Sequence, residues 1–217
     1  MIARRQLLLA GGALALAPAA LRAAPPPVPP GDRLAFDVLL KAKKMGTHVI
    51  GFTRQGDRLG VHVEVALAYR LLGITLYRYS HRCNESWEGD QMVAADSHTD
   101  DNGKLYAVSV RRGTGGLLVE GSDNLRYTAP ASAVLSTHWN QRELDAPWIN
   151  PQDGKLLHPR VAAAGSETIP AVGGRSLSAR RFNLSGDVDL SIWYDRIGWA
   201  GIAFSRDGST VRYERQG

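Results

Sequence analysis

An alternation of apolar and polar residues with a period of two constrains this chain more than any other feature. It is clearest over residues 61–70, where valine, leucine and tyrosine at odd positions alternate with histidine, glutamate, alanine and arginine. Such alternation is typical of β-strands with one buried face. Short turn sequences, among them "MGT", "QGDRLG" and "LLG", separate the alternating runs. Strands joined by such turns predict an antiparallel meander.

The pattern continues along most of the chain and predicts an all-β, mainly antiparallel fold of about 10–12 strands. Residues 129–151 lack the alternation, and apolar residues at helical spacing predict a short helix over residues 131–144. A curved half-barrel with this helix across its open face fits the pattern, and so does a closed up-and-down barrel. The irregular segment favours the half-barrel, because an open sheet has an apolar face that must be covered. We expect residues 33–217 to form a single domain.

The N-terminal residues 1–24 have the layout of an export signal. Two arginines, Arg4 and Arg5, precede an apolar run over residues 7–21 and a stretch of small residues. The apolar run is shorter than the roughly 20 residues that a spanning helix needs. The paired arginines followed by leucines resemble a twin-arginine signal, which favours that route over the general secretory route.

The next eight residues, "PPPVPPGD" at positions 25–32, are expected to form a stiff, Pro-rich linker. Removal of the signal would leave a protein in the periplasm, or a secreted one. No later segment is apolar enough to span a bilayer.

The net charge argues against a nucleic-acid partner. The formal value is +5, and three of the positive charges (Arg4, Arg5 and Arg22) lie in the predicted signal. The remaining charges of both signs are interspersed, whereas nucleic-acid binding needs a clustered basic face. The single cysteine, Cys83, leaves no internal disulfide to form. No pattern in the sequence indicates an oligomeric state.

The stretch "TLYRYSHRCNESWEGD" contains that cysteine together with a histidine and several aromatic residues. If residues 75–87 form one strand, side chains two positions apart share a face. Arginine, serine and asparagine fall on one face, which we expect in water. The other face is expected inside, and it carries Tyr77, Tyr79, His81, Cys83, Glu85 and Trp87.

No catalytic residue, metal site or cofactor is expected from this stretch. A thiol nucleophile needs a base at hydrogen-bond distance and a depressed pKa, and a buried, inert side chain is the commoner fate of a free cysteine. Neither His81 with Cys83 nor the Asp96, His98 and Asp100 set has the spacing of a structural zinc site. The nucleophile elbow of a serine hydrolase is absent. The glutamates at positions 64, 85 and 88 leave paired-carboxylate chemistry open.

Six residues are candidates for a ligand-binding cavity. Three come from the inward face of the strand just described, and the others carry aromatic rings with polar tips, which suit a cavity rim. For the tryptophans, plain core packing is the alternative. The candidates are Tyr77, Tyr79, His81, His138, Trp139 and Trp193.

Three stretches carry a family resemblance. "FDVLLKAKKMGTHVIGF" near the start, "STHWNQREL" in the middle and "DVDLSIWYDRIGWAGIAFSRDGSTVRYER" at the end resemble exported bacterial families that are named as domains of unknown function. These families look like relatives of the LolA/LolB lipoprotein carriers. The resemblance implies an open half-barrel with a hydrophobic cavity, and it assigns no activity.

Together these observations predict an exported, non-enzymatic protein that binds an apolar or amphipathic small molecule, such as a lipid. One alternative is a cell-envelope hydrolase of a glycan or ester that uses Glu85, His81 or His138. Another is a periplasmic scaffold or assembly factor. A carrier cavity should be lined by aliphatic and aromatic residues, whereas an enzyme pocket should contain convergent carboxylates or a histidine with a strongly shifted pKa.

Overall fold

A computed structural model describes residues 26–217. The predicted export signal, residues 1–24, lies outside the described residues. Most of the described chain is β-strand, and two short 3₁₀ helices cover Pro30–Asp32 and Gln141–Asp145. The strands are β1 (Arg33–Leu40), β2 (Lys43–Gln55), β3 (Arg58–Leu71), β4 (Ile74–Glu88), β5 (Gln91–Asp101), β6 (Lys104–Gly113), β7 (Gly116–Glu120), β8 (Arg126–Ala129), β9 (Val134–Leu135), β10 (Trp148–Ile149), β11 (Leu156–Leu157), β12 (Arg160–Ala171), β13 (Arg175–Ser185), β14 (Leu190–Tyr194), β15 (Trp199–Arg206) and β16 (Ser209–Arg215).

Thirteen of these strands form one antiparallel sheet in the order β12-β13-β14-β15-β16-β1-β2-β3-β4-β5-β6-β7-β8. The first and last strands of the domain, β1 and β16, pair in the interior of this sheet, with Phe36 opposite Arg215. Among residues 26–217, β8 and β12 are the edges of the sheet, and they do not close it into a barrel. The predicted antiparallel, all-β fold is confirmed, with one strand more in the main sheet than the upper end of the predicted range.

The irregular segment between β8 and β12 lies against the inner face of the sheet, but the predicted helix over residues 131–144 is wrong in extent. Only Gln141–Asp145 is helical, and it begins where the Asn140 side chain accepts a hydrogen bond from the Arg142 amide. Further upstream, the amide of Val134 donates to Pro147 and the amide of Ser136 donates to Ile149. These tertiary bonds occupy donors that a helix would use, and they pair β9 with β10 in the small sheet β11-β10-β9. Tertiary pairing therefore overrides the helical spacing.

The segment fills the concavity of the sheet. Its side chains Val134, Leu135, Trp148 and Ile149 are buried together with apolar residues of nearly every strand of the main sheet. A smaller apolar cluster, containing Trp193, lies on the opposite face of β14. The predicted need to cover the apolar face of an open sheet is thus met by loops and two-residue strands.

Part of the predicted linker packs on the domain. Pro26 is buried, its carbonyl accepts a hydrogen bond from Nη2 of Arg54 at 2.9 Å, and Val28 contacts the main core. Within the described residues, no helix combines the length and hydropathy needed to cross a bilayer.

Candidate functional site

A cavity of about 260 Å³ lies between the inner face of the sheet and the irregular segment. Strands β2 to β4 form one wall, β15 and β16 form a second, and residues 136–138 and 150–152 of the segment form the third. Most of its walls are aliphatic or aromatic. The lining residues are His48, Val63, Val65, Leu67, Tyr77, Tyr79, His81, Ser136, Thr137, His138, Asn150, Pro151, Gln152, Ile202, Phe204, Arg206 and Tyr213.

Strand β4 contributes the wall that the sequence predicts. Its exposure alternates along the strand, and the face that carries Tyr77, Tyr79 and His81 points inward while Arg78, Ser80 and Arg82 point into water. The Tyr79 hydroxyl donates to Oε1 of Gln152 at 3.2 Å, which links the wall to the irregular segment. Burial raises the pKa of Tyr79, so its hydroxyl stays protonated at physiological pH. The predicted orientation of this strand is confirmed.

Two histidines lie in one transverse row of the sheet. His48 on β2 is opposite Val65 on β3, and Val65 is opposite His81 on β4. Directly paired residues share a face of the sheet. The His48 ring therefore lies on one side of the Val65 side chain and the His81 ring on the other. His48 is 6 % exposed and His81 is 4 % exposed.

The two rings differ in how they are held. Nδ1 of His81 is 2.7 Å from Oγ1 of Thr99, the next residue in the row, and its Nε2 has no partner. Neither ring nitrogen of His48 has a hydrogen-bond partner among the described residues. The His48 ring instead meets aromatic neighbours, with Trp199 at 5.1 Å and Tyr213 at 5.7 Å between ring centroids.

Burial keeps both imidazoles neutral. It lowers the pKa of His48 well below its usual value, and the nearby His138 and His81 lower it further. It lowers the pKa of His81 to about 4. Desolvation disfavours the charged form of histidine, so both rings are uncharged hydrogen-bonding groups at physiological pH.

The third histidine of the cavity, His138, comes from the irregular segment. Its backbone has φ 68°, a left-handed conformation in which histidine is enriched among non-glycine residues. Its Nδ1 is 3.0 Å from the buried carboxylate of Glu143, which also accepts a hydrogen bond from the hydroxyl of Tyr194 at 2.6 Å. The Tyr194 hydroxyl contacts the His138 carbonyl at 2.8 Å as well. These contacts with Glu143 and Tyr194, which do not line the cavity, hold His138 in place while its own side chain lines the cavity.

Trp139 does not line the cavity. Its ring packs between Phe52 and Trp87, with both centroids at 5.4 Å, and its indole donates to the buried carboxylate of Glu85. That carboxylate also accepts hydrogen bonds from Trp87 at 2.9 Å and from Thr137 at 2.5 Å. The adjacent residue, His138, faces the cavity. The irregular segment therefore presents His138 to the cavity and Trp139 to the core.

Trp193 lies away from the cavity too. It packs with Ile169, Ala179 and Ala200 on the other face of the sheet, and its indole donates to Glu167 at 2.7 Å. The structure therefore brings together four of the six candidate residues, Tyr77, Tyr79, His81 and His138, and separates both tryptophans from them.

Sequence reasoning missed His48 and the β15–β16 wall. The alternation in "THVIGF" does place His48 on the same face as two buried apolar residues, Ile50 and Phe52, and a histidine at such a position is a usable signal. The partners Phe204, Arg206 and Tyr213 depend on the pairing of the first and last strands, which no local pattern reveals.

A second cavity of about 290 Å³ adjoins the first. The two share Leu67, Tyr77, Phe204, Arg206 and Tyr213. At the shared rim, the exposed Arg206 guanidinium lies over the Tyr77 ring at 4.9 Å from its centroid. The lining of the second cavity is completed by Val38, Leu40, Met45, Tyr69, Asp207, Ser209 and Val211.

Nucleophilic and metal-binding groups are poorly placed in the described part of the chain. Cys83 is fully buried, and burial raises the pKa of its thiol, the opposite of what a nucleophile needs. In residues 26–217 no group of three or more His, Cys, Asp and Glu side chains is arranged to hold a metal ion.

The fold and the site define an antiparallel, half-barrel domain with an interior cavity. The chain belongs to the family described as "Domain of unknown function (DUF6134)", which matches residues 36–216. Its fold is similar to that of a solved beta-barrel-like protein of the domain of unknown function DUF1849 from Brucella abortus. That likeness has a TM-score of 0.56 at 11 % sequence identity, and it covers 91 % of this chain and 98 % of the other. No curated protein matches the chain significantly.

Proposed function

We propose that this protein binds an apolar or amphipathic small molecule, such as a lipid, in the half-barrel cavity. The observation that carries the proposal is the composition of the walls. Aliphatic and aromatic side chains dominate them, and no Asp or Glu of the described residues lies on the lining. Mostly apolar cavities with a few convergent polar groups are typical ligand sites.

The hydrolase alternative would need carboxylates that reach a substrate. Glu85 and Glu143 are almost fully buried, and their oxygens are occupied by hydrogen bonds from tryptophan, threonine, tyrosine and histidine side chains. Neither lies on the cavity lining. The lowered pKa values of His48 and His81 come chiefly from burial rather than from a catalytic partner. These facts favour a binding protein over a hydrolase.

The proposal also includes export and kinship with the LolA/LolB carriers. Export is supported by the sequence of residues 1–24, and the kinship by the open sheet around an apolar cavity. A periplasmic carrier would need to shield an apolar ligand from water between two membranes, and an interior cavity provides that shielding.

Titration with the fluorescent apolar dye N-phenyl-1-naphthylamine tests the proposal. The wild type should enhance the emission of the dye with saturable binding. Leu67→Trp places a large ring where the two cavities meet and should weaken binding at least about tenfold, and Tyr79→Ala should weaken it too. The matched control, Ala66→Trp, adds the same ring on the exposed outer face of β3 and should bind as the wild type does.

Failure of the wild type to bind the dye, or wild-type affinity of a folded Leu67→Trp variant, would contradict a ligand-binding cavity. Independently of the dye, native mass spectrometry of protein purified from its own source would identify any co-purified lipid directly.

A further inference from the structure

The unpartnered ring nitrogens of His48 and His81 are the least expected feature of the cavity. Buried polar groups are nearly always hydrogen-bonded, yet three ring nitrogens of these two residues have no partner among the described residues. An unmade hydrogen bond at a buried group is costly. Both residues line the same cavity. A ligand in this cavity is therefore one source of the partners that these nitrogens lack.

The sheet fixes the geometry of the two rings. His48 and His81 are separated by one strand, and two strand spacings amount to roughly 9.5 Å between backbones. Val65 lies between them and provides an apolar floor. A polar group placed above Val65 would lie between the two rings. A neutral His48 could donate from one nitrogen and accept at the other, whereas His81 has only Nε2 free, because its Nδ1 is bonded to Thr99.

The charges around this position select an uncharged group. Both imidazoles are neutral, and the lining carries no carboxylate among the described residues. The one guanidinium of the lining, Arg206, is at the exposed rim beside Tyr77. Tyr77 and His81 are four residues apart on β4, which corresponds to roughly 13 Å. A buried charge between the two histidines would lack a counter-ion.

We propose that the ligand carries an uncharged hydrogen-bonding group, such as a hydroxyl, phenol or carbonyl, that binds between His48 and His81. Its apolar body lies along Leu67 and Ile202 toward the second cavity. This inference rests on the proposed function, because it specifies the ligand of that same cavity.

Three rigid probes of nearly equal size test it by isothermal titration calorimetry at pH 7: naphthalene, 2-naphthol and 2-naphthoate. Naphthol should bind at least about tenfold more tightly than naphthalene, as expected for hydrogen bonds made inside an apolar site. His48→Phe and His81→Phe keep a ring but remove the nitrogens. Each should reduce this preference, whereas His48→Gln should retain it.

The outcomes separate this inference from the proposed function. If naphthalene and naphthol bind equally well to the wild type, the cavity binds ligands but the two histidines do not select a polar group. Tightest binding of 2-naphthoate, lost in Arg206→Gln and kept in the histidine variants, would place an anionic group at the rim and overturn the inference. If no probe binds, the proposed function itself fails. The comparison of 2-naphthol with naphthalene in the wild type tests the inference even if a phenylalanine variant does not fold.

Discussion

The indole Nε1 of Trp139 lies 3.2 Å from Oε1 of Glu85, a residue 54 positions earlier on the inner face of β4. Glu85 is wholly enclosed, and burial raises its pKa although three side chains donate to it. The bond fastens the irregular segment to the sheet at the far side of the cavity from Arg206. Glu85 and its indole donors, Trp87 and Trp139, take no part in the lining. The third donor, Thr137, belongs to the irregular segment and does line the cavity.

Removing the indole donor should therefore cost stability. Trp139→Phe takes away one of the donors to a buried carboxylate, and we expect a loss of about 1–3 kcal/mol in the free energy of unfolding. Urea denaturation followed by circular dichroism measures it. The matched variant Trp193→Phe also removes an indole donor, but Glu167 is exposed and stays hydrated, so its loss should be smaller. Equal losses would show that the bond to Glu85 contributes nothing beyond packing.

Gly46 permits a close approach of β2 and β3 beside the cavity. A Cβ at this position would be 1.9 Å from the carbonyl oxygen of Ala66, so Gly46→Ala must force the two strands apart. We expect a loss of about 1–3 kcal/mol and weaker dye binding. Gly51, on the same strand, has open space where its Cβ would be. Thermal denaturation should leave Gly51→Ala near the wild type, and an equally stable Gly46→Ala would disprove the steric argument.

Much of the fold was predictable because strand alternation is a local signal. The two faces of β4 and the inward position of His81 followed directly from residue parity. The segment that covers the sheet was correctly located, yet its conformation depends on bonds such as Val134 to Pro147 that only the folded chain supplies. The orientation of Trp139 also depends on these tertiary bonds, and its prediction as a cavity residue was therefore wrong. Neighbouring residues of a loop can face opposite ways, as it and His138 do.

The lowered pKa of His81 predicts an acid-dependent loss of stability. In the unfolded chain the group titrates near 6.5, and in the folded protein near 4. Between these values the unfolded chain binds more protons, so the free energy of unfolding falls as the pH decreases from 6.5 to 4. The full loss from this residue is on the order of 3 kcal/mol.

Urea denaturation at pH 7 and pH 4 checks this expectation. His81→Gln should lose less stability between the two values than the wild type does, whatever its stability at pH 7. His98→Gln, which removes an exposed histidine from the outer face of β5, should keep the wild-type difference. If His81→Gln shows the same acid loss as the wild type, the ring does not titrate as the burial implies.

Cys83 should behave as an inert core residue. It is fully buried and its thiol pKa is raised by burial, so iodoacetamide should label it slowly in the native protein and quickly in denaturant. Cys83→Ala should cost roughly 1 kcal/mol or somewhat more. Asn84→Cys in the Cys83→Ala background exposes a thiol one position along and serves as the fast-labelling control. Rapid native labelling of Cys83 itself would revive a reactive thiol.

Export provides a test of the N-terminal sequence. Replacement of Arg4 and Arg5 by lysine should strongly reduce the amount of processed protein in the periplasm of a bacterial host that has the twin-arginine route. Arg22→Lys changes a basic residue outside the pair and should be exported normally. Unchanged export of the double variant would assign the chain to the general secretory route.

The pairing of β1 with β16 has a consequence for how the domain is made. Its central seam joins residues 179 positions apart, Phe36 and Arg215, so this seam cannot form until the last strand has left the ribosome or the translocation channel. Until then one edge of β1 has no partner, and unpaired strand edges are where chains aggregate. Contacts of such long range also slow folding. The emerging protein thus passes through a stage in which a holding chaperone that masks strand edges would protect it most.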